Sequence, residues 1–72
     1  MKNPFINMPN SELTALIDEW IKNERNRKLM KRRFIDGITV EKIAEEFRLS
    51  VTRTKTIITE SVRLLKTVLN EI

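Results

Sequence analysis

The side chains of this 72-residue chain best suited to meeting another molecule lie in its last third. At ~100° per residue, Thr52, Lys55, Thr56, Thr59 and Arg63 share one side of a helix, with Arg53 on a flank. From Ser50 to Thr59 the stretch carries two cations and no acid. A helix face that is only solvated usually mixes Glu with Lys, so the missing acid points to an anionic partner. Threonine hydroxyls donate or accept hydrogen bonds, and their methyls fit against the C5-methyl of thymine. Lysine and arginine take phosphates or guanine edges. Together these groups suit double-stranded DNA.

Other chemistry is poorly supplied. The chain has no Cys and no His, which removes zinc-finger, disulfide and iron–sulfur designs. It also removes the commonest general base and the commonest reactive nucleophile. The only glycine is Gly37, too few for a Gly-rich phosphate cradle. A binding module is expected rather than an enzyme, with no metal and no cofactor. Hydrophobic residues make up 40% and charged residues 33%, a balance unlike that of a disordered chain. A domain of this size buries only about 60% of its unfolded surface, so its core has little to spare. No apolar run approaches the ~20 residues of a membrane span. The N-terminus lacks the apolar middle of a secretory signal, and a cytoplasmic location is the expectation.

The net charge of +4 is unevenly spread. Residues 1–21 carry −2. Residues 22–33 set Lys22, Arg25, Arg27, Lys28, Lys31, Arg32 and Arg33 against Glu24 alone, for +6. Residues 34–47 carry −3, and residues 48–72 carry +3. Arg25, Lys28 and Arg32 fall on one side of a helix, opposite Leu29 and Phe34, as a stripe for phosphates or for water. Arg33 falls on the inner edge, where its stem packs on the core and its guanidinium is expected to reach Glu41, Glu45 or Glu46.

The elements that must position these groups are all helical. Residues 1–9, with Pro4 and Pro9, read as a flexible arm, although Phe5, Ile6 and Met8 can pack back. Asn10 or Ser11 caps a first helix reaching Ile21 or Lys22, with Leu13, Leu16, Ile17, Trp20 and Ile21 at helical spacing. Asn23 caps a second helix with Leu29, Met30 and Phe34 inward, stopping near Gly37. No Gly or Pro separates these two, so one bent helix is an alternative. Thr39 opens a third, with Val40, Ile43, Ala44 and Phe47 inward. Ser50 caps a fourth, whose inner side is placed at Thr54, Ile57, Ser61, Leu64 and Val68. The fold class expected is all-α: a single domain over 1–72, a three-helix core plus an N-terminal helix.

Residues 39–58 hold the sharpest pattern. Two short helices meeting at a large angle need a small residue at the crossing, and Ala44 supplies it. Ile43 and Phe47 fill the angle, Leu49 plugs the turn, and Ile57 and Ile58 return to the core. This is helix–turn–helix spacing, in which the second helix enters the major groove. Two positions depart from the usual pattern. Arg48 stands where the turn often has Gly. Thr54 stands where Val or Ile is common, with a hydroxyl able to bond back to a carbonyl of its own helix.

The stretch from Arg27 to Ser50, in particular Arg33-Phe34, Gly37, Thr39, Ile43-Ala44 and Leu49-Ser50, resembles region four of bacterial sigma factors. It is similar also to the small sigma-like regulators of Gram-positive bacteria and their phages. The resemblance covers about residues 24–66. It implies that Val51, Thr52, Lys55, Thr56 and Thr59 face the bases. Thr39, Arg48, Ser50, Arg53 and Arg63, together with Arg25, Lys28 and Arg32, are the candidates for phosphate contact. Lys42 stands where the family commonly has an acid. The lobes with which a full sigma factor grips RNA polymerase and melts DNA are not in this sequence, so a small sequence-specific transcriptional regulator is expected.

Two alternatives stand beside it. One is a protein-interaction module of the same fold docking on RNA polymerase. The other is the DNA-recognition subunit of a phage recombination or packaging complex. The tail from Val62 to Ile72 is apolar beyond the needs of one core-facing side. It either packs on the first helix near Leu16 and Trp20 or joins a homodimer through Val62, Leu65, Leu69 and Ile72, presenting two reading helices.

Overall fold

The computed structural model describes residues 3–71, the side chain of Glu71 excepted. Four helices follow one another: α1 Asn10–Trp20, α2 Glu24–Phe34, α3 Val40–Phe47 and α4 Val51–Glu71. α2 packs against all three of the others, and α4 packs on α1, α2 and α3. Leu13, Ile17, Leu29, Met30, Ile43, Ile58 and Leu65 are the fully buried apolar centre. Every helix thus contributes to one core.

α1 and α2 are separate helices. Ile21 turns extended, and Asn23 caps α2 by accepting the Asn26 N–H on its side-chain oxygen at 3.1 Å. Arg27 fixes the corner by donating from Nη1 to the carbonyls of Ile21 and Lys22, both at 2.9 Å. At the start of α1, neither Asn10 nor Ser11 is the cap. Pro9 holds that position without a side-chain hydrogen bond, and its carbonyl accepts the Leu13 N–H at 3.0 Å. Its ring sets φ near the helical value, so the helix begins directly after it.

Within its described residues 3–9 the N-terminal arm is docked through Phe5 and Met8, while Ile6, expected to pack back, is 77% exposed. Phe5 is only 3% exposed, and its ring meets Phe34 edge-on at 5.3 Å between centroids. A backbone bond from Met8 N–H to the Phe5 carbonyl closes the turn. Burial of a large aromatic surface outweighs the entropy of a short Pro-bounded segment.

Two placements in α4 also change. Its inner side runs Thr54, Ile57, Ile58, Ser61, Leu65 and Val68, whereas Leu64 is 42% exposed. Steps of three and four from Ile58 reach Ser61, Leu65 and Val68, leaving Leu64 to one side. Leu65 is therefore core and not dimer surface. Val62 and Leu69 are half-buried against the same core, and Ile72 lies outside the described residues. The tail packs on α1, where Leu16 and Leu69 line a common hollow with Met8 and Ala15.

Candidate nucleic-acid interface

The turn between α3 and α4 is built by backbone geometry. Arg48 adopts the left-handed conformation, φ 56 and ψ 43. That lets the Leu49 N–H reach the Ala44 carbonyl at 2.9 Å and the Arg48 N–H reach that of Glu45 at 3.3 Å, a Schellman closure. The sequence offers Arg where Gly is easiest, and the turn forms at some strain. Ala44 is buried at the crossing, 3% exposed, with Phe47 and Leu49 half-buried beside it.

Ser50 then sets the direction of α4. Its Oγ accepts the Arg53 N–H at 3.0 Å, and its carbonyl accepts both the Thr54 N–H at 3.0 Å and the Thr54 hydroxyl at 2.9 Å. Thr54 is fully buried, so its polar group is satisfied inside its own helix and its methyl faces the core. Thr39 caps α3 in the same manner, accepting the Lys42 N–H at 3.3 Å. Because both caps accept, each hydroxyl keeps its proton for an outside acceptor.

The outer side of α4 carries the expected residues. Val51, Thr52, Lys55 and Thr59 are exposed, and Thr56 is half-buried, its hydroxyl donating to the Thr52 carbonyl at 3.1 Å. Thr52, Lys55, Thr56, Thr59, Glu60 and Arg63 line a shallow hollow of about 370 Å³. Glu60 belongs to this lining and was not among the residues singled out from the sequence. Its spacing, four beyond Thr56, was the available signal. Among the described residues, none of Arg53, Lys55 and Arg63 forms an ion pair.

The cations of α2 are differently occupied. Lys28 pairs with Glu24 at 3.6 Å, and Lys31 with Asp18 of α1 at 2.7 Å. Arg25 donates from Nε and Nη2 to the Asn26 side chain, both at 3.2 Å. Arg32, expected at phosphates, is held by Glu46 of α3 and by Asp36: its Nε lies 3.0 Å from Glu46 and its Nη1 3.0 Å from Asp36. Arg33, expected to reach an acid of α3, instead donates Nη1 to the Ile38 carbonyl at 3.0 Å, and its buried Nε has no partner. The two adjacent arginines exchange roles because Arg33 points under the α2–α3 loop while Arg32 lies along the open side facing α3. Hydrogen bonding from Arg32 holds the Glu46 carboxyl below its usual range, and the same contacts raise the Arg32 pKa.

Capped α3, a tight left-handed turn and a capped α4 with an unpaired basic face define a helix–turn–helix domain. The chain belongs to the sigma-70 region 4 family, whose model matches residues 23–67. This is a family of DNA-binding helix–turn–helix domains. The docked arm and α1 precede the matched segment, and the last residues of α4 follow it. No curated protein and no solved structure gives a significant match. No helix among the described residues is long and apolar enough to cross a membrane.

Proposed function

We propose that this protein is a small sequence-specific transcriptional regulator that binds double-stranded DNA by laying the first four turns of α4 in the major groove. The observation that carries this reading is the division of its positive charge. Lys28, Lys31 and Arg32 of α2 are paired with carboxylates within the fold, whereas among the described residues Arg53, Lys55 and Arg63 on α4 have no carboxylate partner. Val51, Thr52, Lys55, Thr56 and Thr59 face the bases. Arg53, Arg63 and Arg48 reach phosphates, as do the free hydroxyl protons of Thr39 and Ser50. The test is fluorescence anisotropy against a pool of random duplexes at two or more salt concentrations. Binding whose log K falls linearly with log salt is expected. Absence of binding at micromolar protein and low salt overturns the reading.

A second reading, docking on RNA polymerase, draws on one observation. Trp20 and Leu64 are 41% and 42% exposed and line one hollow with Ile21 and Ser61. Exposed aromatic and aliphatic side chains side by side suit a protein partner. Trp20 is the only tryptophan, so a blue shift of its emission on adding polymerase supports this docking, and an unchanged spectrum argues against it.

A further inference from the structure

The base-facing stripe of α4 is unusual in the chemistry it lacks. Between Val51 and Thr59 there is no Asn, Gln, Asp or Glu, and the one arginine, Arg53, lies on the flank. Bidentate recognition of adenine uses Asn or Gln, and recognition of the cytosine amine uses Asp or Glu. Neither lies between Val51 and Thr59, and the nearest carboxylate, Glu60, stands beyond them at the edge of the same hollow. Beside Lys55 the stripe carries short side chains that each bear a methyl: Val51, 38% exposed, the exposed Thr52 and Thr59, and the half-buried Thr56.

The hydroxyls do not redress this. That of Thr56 is engaged with the Thr52 carbonyl at 3.1 Å. Its proton is committed to the backbone, so it cannot donate to a base while that bond lasts. The free hydroxyls of Thr52 and Thr59 can donate or accept and so do not discriminate strongly between bases. Between Val51 and Thr59 Lys55 is the single cation on this side, with Arg63 a turn further on, and its flexible ammonium, a point charge with three donors, suits one guanine edge. On the major-groove side the only exposed apolar group of B-DNA is the C5-methyl of thymine. Removing that methyl and these four aliphatic groups from water together is the one strongly selective interaction the stripe can make.

Resting on the DNA-binding reading above, we infer that the half-site is recognised through thymine C5-methyl groups. It is a run of A·T or T·A pairs met by Val51, Thr52, Thr56 and Thr59, with one guanine for Lys55. Discrimination is by apolar contact rather than by a code of paired hydrogen bonds. A 5-methylcytosine offers the same methyl at the same place in the groove and substitutes in part for thymine.

The experiment uses the full chain and the duplex it retains most tightly from a random pool. That duplex is remade with deoxyuridine in place of every thymidine, which deletes the C5-methyls and leaves all Watson–Crick and groove hydrogen-bonding groups. Each fully buried methyl is worth about a four-fold change in affinity, so loss of two or three contacts weakens binding by an order of magnitude or more. Equal affinity for the thymine and uracil duplexes overturns the inference while leaving DNA binding intact. Failure to retain any duplex overturns the DNA-binding reading itself. Thr52→Ser and Thr52→Val assign the contact, since both keep an exposed side chain on an intact helix. The serine variant should lose about four-fold discrimination between thymine and uracil at one position, and the valine variant should keep it. Identical discrimination in both variants removes Thr52 from the contact.

Discussion

Arg32 grips Glu46 through two guanidinium nitrogens, tying the end of α2 to the end of α3. The same guanidinium also holds Asp36 at 3.0 Å. A residue whose type and position suited phosphate therefore serves as a brace for the first helix of the DNA-binding motif. The consequence is a sharper contrast between a structurally committed α2 and an electrostatically open α4.

The brace predicts a pH dependence. Arg32 hydrogen bonding lowers the Glu46 pKa from the usual 4.5. A lowered pKa means that the contribution is complete above about pH 5 and is lost as pH falls through the folded-state value. Urea midpoints of the native chain and of Glu46→Gln should differ by a constant amount near neutrality and converge in acid. A gap that persists unchanged in acid would count against the ion pair.

Arg48 predicts a stabilising substitution. A side chain in the left-handed region costs about 1 kcal/mol, partly offset for glycine by its freer unfolded chain. Arg48→Gly should raise the melting temperature by a few degrees. Gly37, with φ +71 and open space around an added Cβ, gives the opposite result: Gly37→Ala should lose about 1 kcal/mol, from backbone strain alone. Thermal melts of the two variants read both effects.

Phe5 predicts a cost in a segment outside the helices. Its truncation removes a buried ring and its edge contact with Phe34. Phe5→Ala should destabilise the domain by about 3 kcal/mol, a large share of the stability of a chain this short. A change below about 0.5 kcal/mol in chemical denaturation would show the arm to be dispensable.

The division of charge predicts a division in salt dependence. Each phosphate contact adds about 0.9 to the slope of log K against log salt. Arg53→Ala and Arg63→Ala should each lower the slope by roughly that amount. Lys31→Ala, which removes a cation held by Asp18 at 2.7 Å, should lower stability and leave the slope alone. Equal slopes in all three variants would disprove the assignment.

Much of the fold was legible because its determinants are local. The capping residues Asn23, Thr39 and Ser50 act within three residues of themselves, and helical periodicity places Ile43, Ala44, Ile57 and Ile58 on the buried side. The left-handed Arg48 and the back-bonded Thr54 could also be anticipated, since both follow from the geometry of one turn. The stripe Val51, Thr52, Lys55, Thr56 and Thr59 depends only on spacing along a single helix, and all but the half-buried Thr56 are exposed.

Partner choice between elements was not legible in the same way. Arg32 and Arg33 are neighbours of one type, and only the crossing of α2 and α3 determines which meets Glu46 and which meets the Ile38 carbonyl. Leu64 and Leu65 differ by a single helical step, and in the packed α4 it is Leu65 that is core while Leu64 is 42% exposed. Phe5 is buried because Phe34 lies within reach, a fact of the assembled fold. Sequence by itself determined the four helices, the caps Asn23, Thr39 and Ser50, the helix–turn–helix and which residues share the outer side of α4, because these are set by short-range backbone geometry. The tertiary structure decided which cations meet a partner from another element, as Lys31 meets Asp18 and Arg32 meets Glu46, because such a pairing depends on what packing brings within a few ångströms.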